Sequence, residues 1–248
     1  MLESLTSSDL LLAALILGAA LLYSSVGHGG ASGYLAAMAF FGLAPAVMKP
    51  SALALNILVA SVATYKFARA GAFNWSVFWP FAVLSVPAAY LGGMIQLPAH
   101  LYRPLLGLVL LYAGWRSWQI APVEPRQINL PKGPLILAAG AGIGFLSGLT
   151  GVGGGIFLSP LLLLFAWAET RAVSGIAAAF ILVNSIAGLL GQISKGASLP
   201  AALPVWAAAA LIGGLIGAEL GSRRLGKPAL KRLLAAVLLV AGLKMLLS

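Results

Sequence analysis

Six long apolar segments constrain this chain more than any other feature. They cover residues 51–68, 75–97, 101–118, 173–192, 201–220 and 229–247, and each is 18 to 23 residues long. At about 1.5 Å per residue, a helix of that length crosses the ~30 Å hydrocarbon core of a bilayer. Only 8% of the residues are charged, whereas soluble domains have about 25% and need that charge to cover their surfaces. The sequence therefore predicts an all-helical polytopic membrane protein.

The charge and cysteine content exclude several other classes. The net charge is +10, which in a soluble protein would suggest nucleic-acid binding. Here the Lys and Arg residues stand singly or in short clusters between apolar segments, where membrane proteins carry cytoplasmic loop charges. We therefore predict no nucleic-acid partner. The chain has no Cys, so disulfides and thiolate metal sites are excluded, and we predict neither a metal nor a cofactor.

The chain consists of two similar halves. Residues 27–30 (Gly-His-Gly-Gly) align with residues 151–154 (Gly-Val-Gly-Gly) at a shift of 124, which is half the chain length. Each half begins with two apolar segments of only 12 to 15 residues, joined by this Gly-rich turn. Because such segments are too short to cross a bilayer, we expect each pair to form a broken or re-entrant helical hairpin with its tip inside the membrane. The predicted organisation is a first transmembrane repeat at 1–118, a cytoplasmic linker at 119–134 and a second transmembrane repeat at 135–248.

The distribution of Lys and Arg predicts the orientation of the chain. If each hairpin returns to its starting side, eleven of these residues lie on one side of the membrane and four on the other. If each hairpin instead crosses once, the division is eight against seven. Cytoplasmic loops carry the excess of Lys and Arg, so the first arrangement is favoured. It inverts the second half relative to the first, places both termini outside, in the periplasm, and assigns Lys49, Arg103, Lys195 and Lys244 to the outer side.

The two Gly-rich tips are the predicted substrate site. Inverted-repeat carriers bind their substrates near the midplane, where interrupted helices meet. Glycine lets a ligand approach the backbone closely, and the free N–H groups at a helix N-terminus favour anions. We therefore expect the tips and the polar residues around them to bind an anion. The predicted substrate-binding residues are Ser25, Gly27, His28, Gly29, Gly30, Ser32, Asn56, Thr150, Gly151, Gly153, Gly154, Gly155 and Asn184.

Each of these residue types also has a structural interpretation. Glycine in membrane helices often serves close helix packing, although its duplication in register at both tips favours a site. An intramembrane Asn is as often an interhelical hydrogen-bonding residue as a ligand, so both roles stay open for Asn56 and Asn184. His28 aligns with Val152, so the repeat does not require an imidazole there. It can bind substrate, carry a coupled proton or bond a nearby carbonyl group.

The second tip carries the residues that resemble a known family. The stretch from residue 151, Gly-Val-Gly-Gly-Gly-Ile-Phe-Leu-Ser-Pro-Leu, closely resembles the G-x-G-G-G-x-x-x-x-P-x-L signature of the TauE/SafE family of sulfite exporter-like permeases. The variant at 27–30, the stretch at 171–174 and the Gly-, Ala- and Leu-rich ends of the halves are also similar to this family. The resemblance covers essentially the whole chain. It implies an inner-membrane permease for small organosulfur anions such as sulfite, sulfoacetate or other sulfonates. The first tip departs from the signature at His28 and Ala31.

Three functions other than transport are an enzyme, an anion channel and a membrane assembly factor. An enzyme is not supported, because the sequence has no H-E-x-x-H motif, no paired carboxylates within a span and no Ser/His/Asp set. An anion channel and a non-transporting membrane assembly factor stay open as alternatives, although inverted halves favour alternating access. Besides the anion and the lipid bilayer, the partners left open are a coupled proton and a second copy of the chain. A proton is preferred to Na⁺ because no Asp lies within a predicted span.

Overall fold

The computed structural model describes residues 6–118, 133–223 and 228–247. These ranges contain ten α-helices and no strand, which confirms the predicted all-helical class for this part of the chain. The helices are α1 (Ser7–Ser24), α2 (Ala31–Phe40), α3 (Pro45–Arg69), α4 (Trp75–Met94), α5 (Ala99–Trp118), α6 (Gly133–Thr150), α7 (Gly155–Leu164), α8 (Thr170–Ile193), α9 (Leu203–Arg223) and α10 (Pro228–Leu247). Except for its last two residues, the predicted linker at 119–134 lies outside the described ranges.

Six of these helices are long and apolar enough to cross a membrane, namely α1, α3, α4, α6, α8 and α9. The chain is therefore a multi-pass membrane protein. The predicted spans α5 and α10 are each 20 residues long but are not among the six.

The hairpins correct one expectation. Their first arms, α1 and α6, are 18 residues long, so they are long enough to span the bilayer, contrary to prediction. Only the second arms, α2 and α7, are short, at 10 residues each. The apolar count underestimated the first arms because both helices extend beyond their apolar residues. Helix α1 begins at Ser7, where Thr6 caps it together with Asp9, and α6 runs from Gly133 to Thr150. Each hairpin is thus a full-length helix followed by a short one.

Corresponding helices of the two halves pack antiparallel. Across α3 and α8 the contacting pairs are Leu53–Gly188, Asn56–Ser185 and Phe67–Gly175. Across α5 and α10 they are Gly107–Gly242 and Gly114–Ala235. In both pairs, successive residues along one helix contact residues with successively lower numbers on the other helix. In these two pairs the equivalent helices therefore run in opposite directions.

Rows of glycine bring the first arm of each hairpin against a helix of the other half. Small residues at every fourth position let two helix backbones approach closely. The contacting pairs between α9 and α1 are Gly213–Leu17, Gly217–Leu21 and Gly221–Ser25. Those between α6 and α4 are Gly140–Phe81, Gly144–Ser85 and Gly148–Ala89. In each pair an added Cβ would overlap the facing carbonyl group, so these glycines are packing residues.

The short helices lie in the interior of the bundle. Every residue from Ala31 to Ala39 in α2 is buried, and the first turns of α7 are buried from Gly155 to Ser159 except for Phe157. Non-helical backbone is tolerated at membrane depth only where protein or a water-filled cavity covers it. The long helices provide that cover, and this places the two tips at the centre of the protein.

Candidate functional site

Both tips are turns in which glycines with positive φ redirect the chain. At the first tip, φ is +79° for Gly27 and +104° for Gly30, and at the second it is +82°, +85° and +81° for Gly151, Gly153 and Gly154. L side chains rarely adopt this left-handed conformation, so glycine is the residue that fits. Gly30 and Gly154 are also the N-caps of α2 and α7. Each tip therefore directs the N-terminal N–H groups of a short helix into the protein interior.

Asn56 on α3 joins the two tips. Its Oδ1 accepts a hydrogen bond from the N–H of Ala31 at 3.0 Å, and its Nδ2 donates to the carbonyl oxygen of Val152 at 3.4 Å. Nδ2 also donates to Oγ of Ser185 on α8 at 3.3 Å. The Asn56 side chain is fully buried. A single amide group thus links the start of α2, the second tip and α8.

Ile181 on α8 occupies the position equivalent to Asn56. It follows Asn56 by 125 residues, the same offset that separates the starts of α3 and α8. A Cβ placed on Gly29, Gly153 or Gly155 would come within 3.0 Å of the Ile181 side chain. The space between the tips therefore has one polar wall and one apolar wall.

The second tip contains buried polar groups whose hydrogen bonds are unmet. Within the described ranges, the N–H groups of Gly153, Gly154 and Gly155 have no acceptor, although all three residues are buried. The hydroxyl group of Ser147, which lies beside Gly154, is also buried without a partner. Buried polar groups are nearly always paired in native proteins. The start of α7 therefore presents several N–H groups to a hydrogen-bond acceptor, as the first turn of a helix does.

His28 extends from the first tip to the second half. Its Nε2 lies 3.3 Å from Oγ of Ser159 on α7, and its Nδ1 lies 3.2 Å from the carbonyl oxygen of Val26. Because a carbonyl oxygen can only accept, a neutral ring bonded in this way carries its proton on Nδ1, and Nε2 accepts from Ser159. The ring is only partly buried. His28 therefore bonds a nearby carbonyl group, which was one of the three roles expected for it, and it also joins the first half to the second through Ser159.

The hydroxyl groups that flank the tips already make internal hydrogen bonds. The pairs are Ser25 Oγ to the carbonyl of Leu22 at 2.7 Å, Ser32 Oγ to the Tyr23 hydroxyl at 2.9 Å and Thr150 Oγ1 to the carbonyl of Leu146 at 2.6 Å. Each of these protons is engaged in this conformation. The three residues lie beside the tips, and because their protons are engaged, the remaining donors there are backbone N–H groups.

Asn184 does not reach the tips. Its Oδ1 accepts from Oγ of Ser85 on α4 at 2.6 Å, and its Nδ2 donates to the carbonyl oxygen of Phe180 at 2.8 Å. Of the two asparagines, Asn56 lies at the tips and Asn184 makes an interhelical hydrogen bond. The two asparagines differ in position because they are not equivalent in the repeat: the residue of α8 that is equivalent to Asn56 is Ile181. Ser185, the next residue along α8, lies at the tips instead.

Several residues at the tips were not identified from the sequence. Two buried phenols support the tip backbone: Tyr34 donates to the carbonyl of Gly29 at 2.7 Å and Tyr102 to that of Thr150 at 2.8 Å. The sequence signal was available, because a Tyr buried in a membrane bundle needs a partner for its hydroxyl group. Lys49 is the third residue at the tips that was not identified from the sequence. Charge counting placed it in an outer loop, but it lies inside α3 and is 5% exposed.

A cavity of about 170 Å³ lies between the C-terminal ends of α2 and α10 and the starts of α3 and α5. Its lining includes Met48, Tyr102, Arg103 and Lys244. Tyr102 connects the cavity to the second tip through its bond to Thr150, the last residue of α6. The cavity therefore lies next to the tip and has two basic residues in its wall.

These features define a multi-pass membrane protein with two interrupted hairpins at its centre. The chain belongs to the family described as sulfite exporter TauE/SafE, whose model matches residues 11–245. This confirms the family resemblance seen in the second tip.

Three relatives support the same assignment. The chain is 43% identical over 234 residues to the probable membrane transporter protein y4hK of Sinorhizobium fredii, covering 92% of this chain and 94% of that protein. It is 27% identical to the probable membrane transporter protein YjnA of Bacillus subtilis, covering 97% of this chain and 100% of that protein. It is also 27% identical to the probable membrane transporter protein MJ0441 of Methanocaldococcus jannaschii, covering 75% of this chain and 73% of that protein. No solved structure matches the chain. Family and relatives together identify a membrane transporter.

Proposed function

We propose that this protein transports small organosulfur anions, such as sulfite, sulfoacetate or other sulfonates, by alternating access around the two Gly-rich tips. The observation that carries this proposal is the group of buried N–H donors at Gly153, Gly154 and Gly155 that lack an acceptor. A tetrahedral or pyramidal oxyanion has several oxygens and can accept from several such donors at once. None of the predicted tip residues is a carboxylate, so nothing among them repels an anion.

The packing of the tips favours a carrier over a channel. Asn56 and Ile181 fill the space between the tips, since even an added Cβ at Gly29 or Gly153 would overlap them. An anion reaches the donors of both tips only if the tips separate. A carrier requires such a conformational change, whereas a permanently open channel does not. The antiparallel packing of α3 on α8 supports inverted halves, the architecture in which one half moves against the other.

We also propose an inner-membrane orientation with both termini in the periplasm and the linker at 119–134 in the cytoplasm. The excess of Lys and Arg on one side supports this orientation, and it makes 1–118 and 135–248 two inverted repeats. Topology reporters fused within the linker and after Ser248 should therefore report opposite sides of the membrane. If both reporters lie on the same side, the halves are not inverted in the proposed way.

Transport is tested with purified protein in liposomes. We expect sulfite or a sulfonate to raise the melting temperature and to show a saturable flux that is accelerated by substrate on the opposite side. Flux without saturation would indicate an anion channel, and absence of flux for sulfite and for every sulfonate tested would favour an assembly factor. A flux that follows a pH gradient would support proton coupling, and one that follows only a Na⁺ gradient would contradict it.

The two buried asparagines provide matched variants for the same assay. Asn56→Ala removes the amide that links the tips, so we expect sulfonate flux to fall by roughly tenfold or more (about 1.4 kcal/mol), because the tips lose a side chain that bonds to both of them. Asn184→Ala removes an amide that is equally buried but bonds α4, so it should lower stability with little effect on flux. Equal loss of flux in both variants would mean that Asn56 is only a packing residue.

A further inference from the structure

We propose that Lys49 supplies the positive charge that binds the transported anion, an inference that rests on the anion site proposed above. Lys49 lies in the second turn of α3 and is 5% exposed. Its aliphatic chain packs on the second tip, since a Cβ at Gly151 would be 3.0 Å from Cγ of Lys49. Its Nζ donates to the carbonyl oxygen of Ile95, the C-cap of α4, at 2.9 Å.

The second half shows that the fold does not need a lysine at this position. The residue 125 positions after Lys49 is Ser174, in the corresponding turn of α8. Ser174 lies against Gly27 of the first tip as Lys49 lies against Gly151 of the second. The contact with Gly27 is made by the backbone of Ser174, so this support of a tip does not depend on a long charged side chain. An ammonium group buried in a membrane protein is costly, and ionisable residues in such positions commonly mark a functional site.

The ammonium group of Lys49 has capacity for a ligand. An ammonium has three N–H donors, and the carbonyl oxygen of Ile95 is its one hydrogen-bond acceptor within the ranges that the structure describes. The ion pair recorded in those ranges joins Lys66 and Glu219, so no described carboxylate neutralises Lys49. An anion beside the second tip would accept from the remaining donors and neutralise this charge at the same time.

A cavity with basic residues in its wall lies at the start of α3, the helix that carries Lys49. The preceding residue, Met48, lines the cavity together with Arg103 and Lys244. Basic residues in the wall of a cleft raise the local concentration of anions. Tyr102, also in the lining, bonds Thr150, the residue before Gly151. An anion in this cavity would lie beside basic residues at the start of the helix that carries Lys49.

The test compares Lys49→Gln with Lys49→Arg and with Lys195→Gln, which changes an exposed lysine in the loop after α8. Kd values for sulfite, sulfoacetate and acetate are measured by calorimetry on monodisperse protein. We expect Lys49→Gln to raise the Kd roughly tenfold or more, because it removes a charge-assisted bond. Lys49→Arg should retain most of the affinity, and Lys195→Gln should not change it. If Lys49→Gln does not fold, Lys49→Ser takes its place, because the second half packs a serine at the equivalent position.

The outcomes separate this inference from the proposed function. If Lys49→Gln lowers the melting temperature but binds sulfite and sulfoacetate with the wild-type Kd, Lys49 only caps α4; the inference fails and the proposed transport stands. If the wild type binds acetate but not the sulfur anions, and Lys49→Gln loses acetate, the role of Lys49 stands and the proposed substrate class fails. If the wild type binds none of these anions, both fail.

Discussion

Gly153→Ala is expected to abolish sulfonate binding while the protein still folds. A Cβ at this position would lie 2.5 Å from Nδ2 of Asn56 and 2.9 Å from the Ile181 side chain. The new methyl group must displace the amide that links the two tips, and it occupies the space through which an anion reaches the backbone donors. The residue also has a φ of +85°, which adds about 1–2 kcal/mol of backbone strain for an L side chain.

The strain and the steric overlap are separated by two further variants. Gly196→Ala introduces the same strain, at a φ of +81°, but its Cβ meets no atom within 4 Å, so binding should be unchanged. Gly29→Ala adds no left-handed strain, yet its Cβ would lie 2.9 Å from Cγ of Asn56, so binding should be lost. The Kd for a sulfonate is measured by calorimetry on monodisperse protein for all three variants. Near-normal sulfonate affinity in both Gly153→Ala and Gly29→Ala would show that these glycines are packing residues.

Gly148→Leu is expected to prevent stable folding. A Cβ at Gly148 would lie 2.8 Å from the carbonyl carbon of Ala89 and from the backbone nitrogen of Gly93. Both contacts are with backbone atoms of α4, which cannot move aside as a side chain can, so α4 and α6 would have to separate. Overpacking costs about 1–3 kcal/mol for single methylenes and more where the backbone must shift. The second hairpin would then lose its position beside α8.

Gly142→Leu is the control for this variant. Gly142 lies on the same helix, is exposed, and has no atom within 4 Å of its Cβ position, so a leucine there faces outward. Fluorescence-detected size-exclusion chromatography and melting temperature should show folded protein for Gly142→Leu and aggregation or a strongly reduced yield for Gly148→Leu. A monodisperse Gly148→Leu protein with the wild-type melting temperature would contradict the close packing of α4 on α6.

The sequence alone was sufficient to predict the membrane-protein class and the positions of the two tips. Both depend on local chemistry. An apolar segment of 18 or more residues has few alternatives to a membrane helix, and a turn with positive φ requires glycine wherever it occurs. The alignment of residues 27–30 with 151–154 therefore located two buried turns with the same kind of backbone.

Only the tertiary structure decided which polar side chains meet at the tips. Asn56 and Asn184 are the same residue type in corresponding spans, yet only Asn56 faces the tips, because the register of α3 on α8 pairs it with Ser185. The charge count assigns Lys49 to a loop because Lys49 lies just before the apolar segment that begins at residue 51. In the structure α3 begins at Pro45 and contains Pro50, so the helix includes Lys49 and buries it against Gly151. Residue type fixes backbone preference locally, but the packing of one helix on another determines which way a side chain faces.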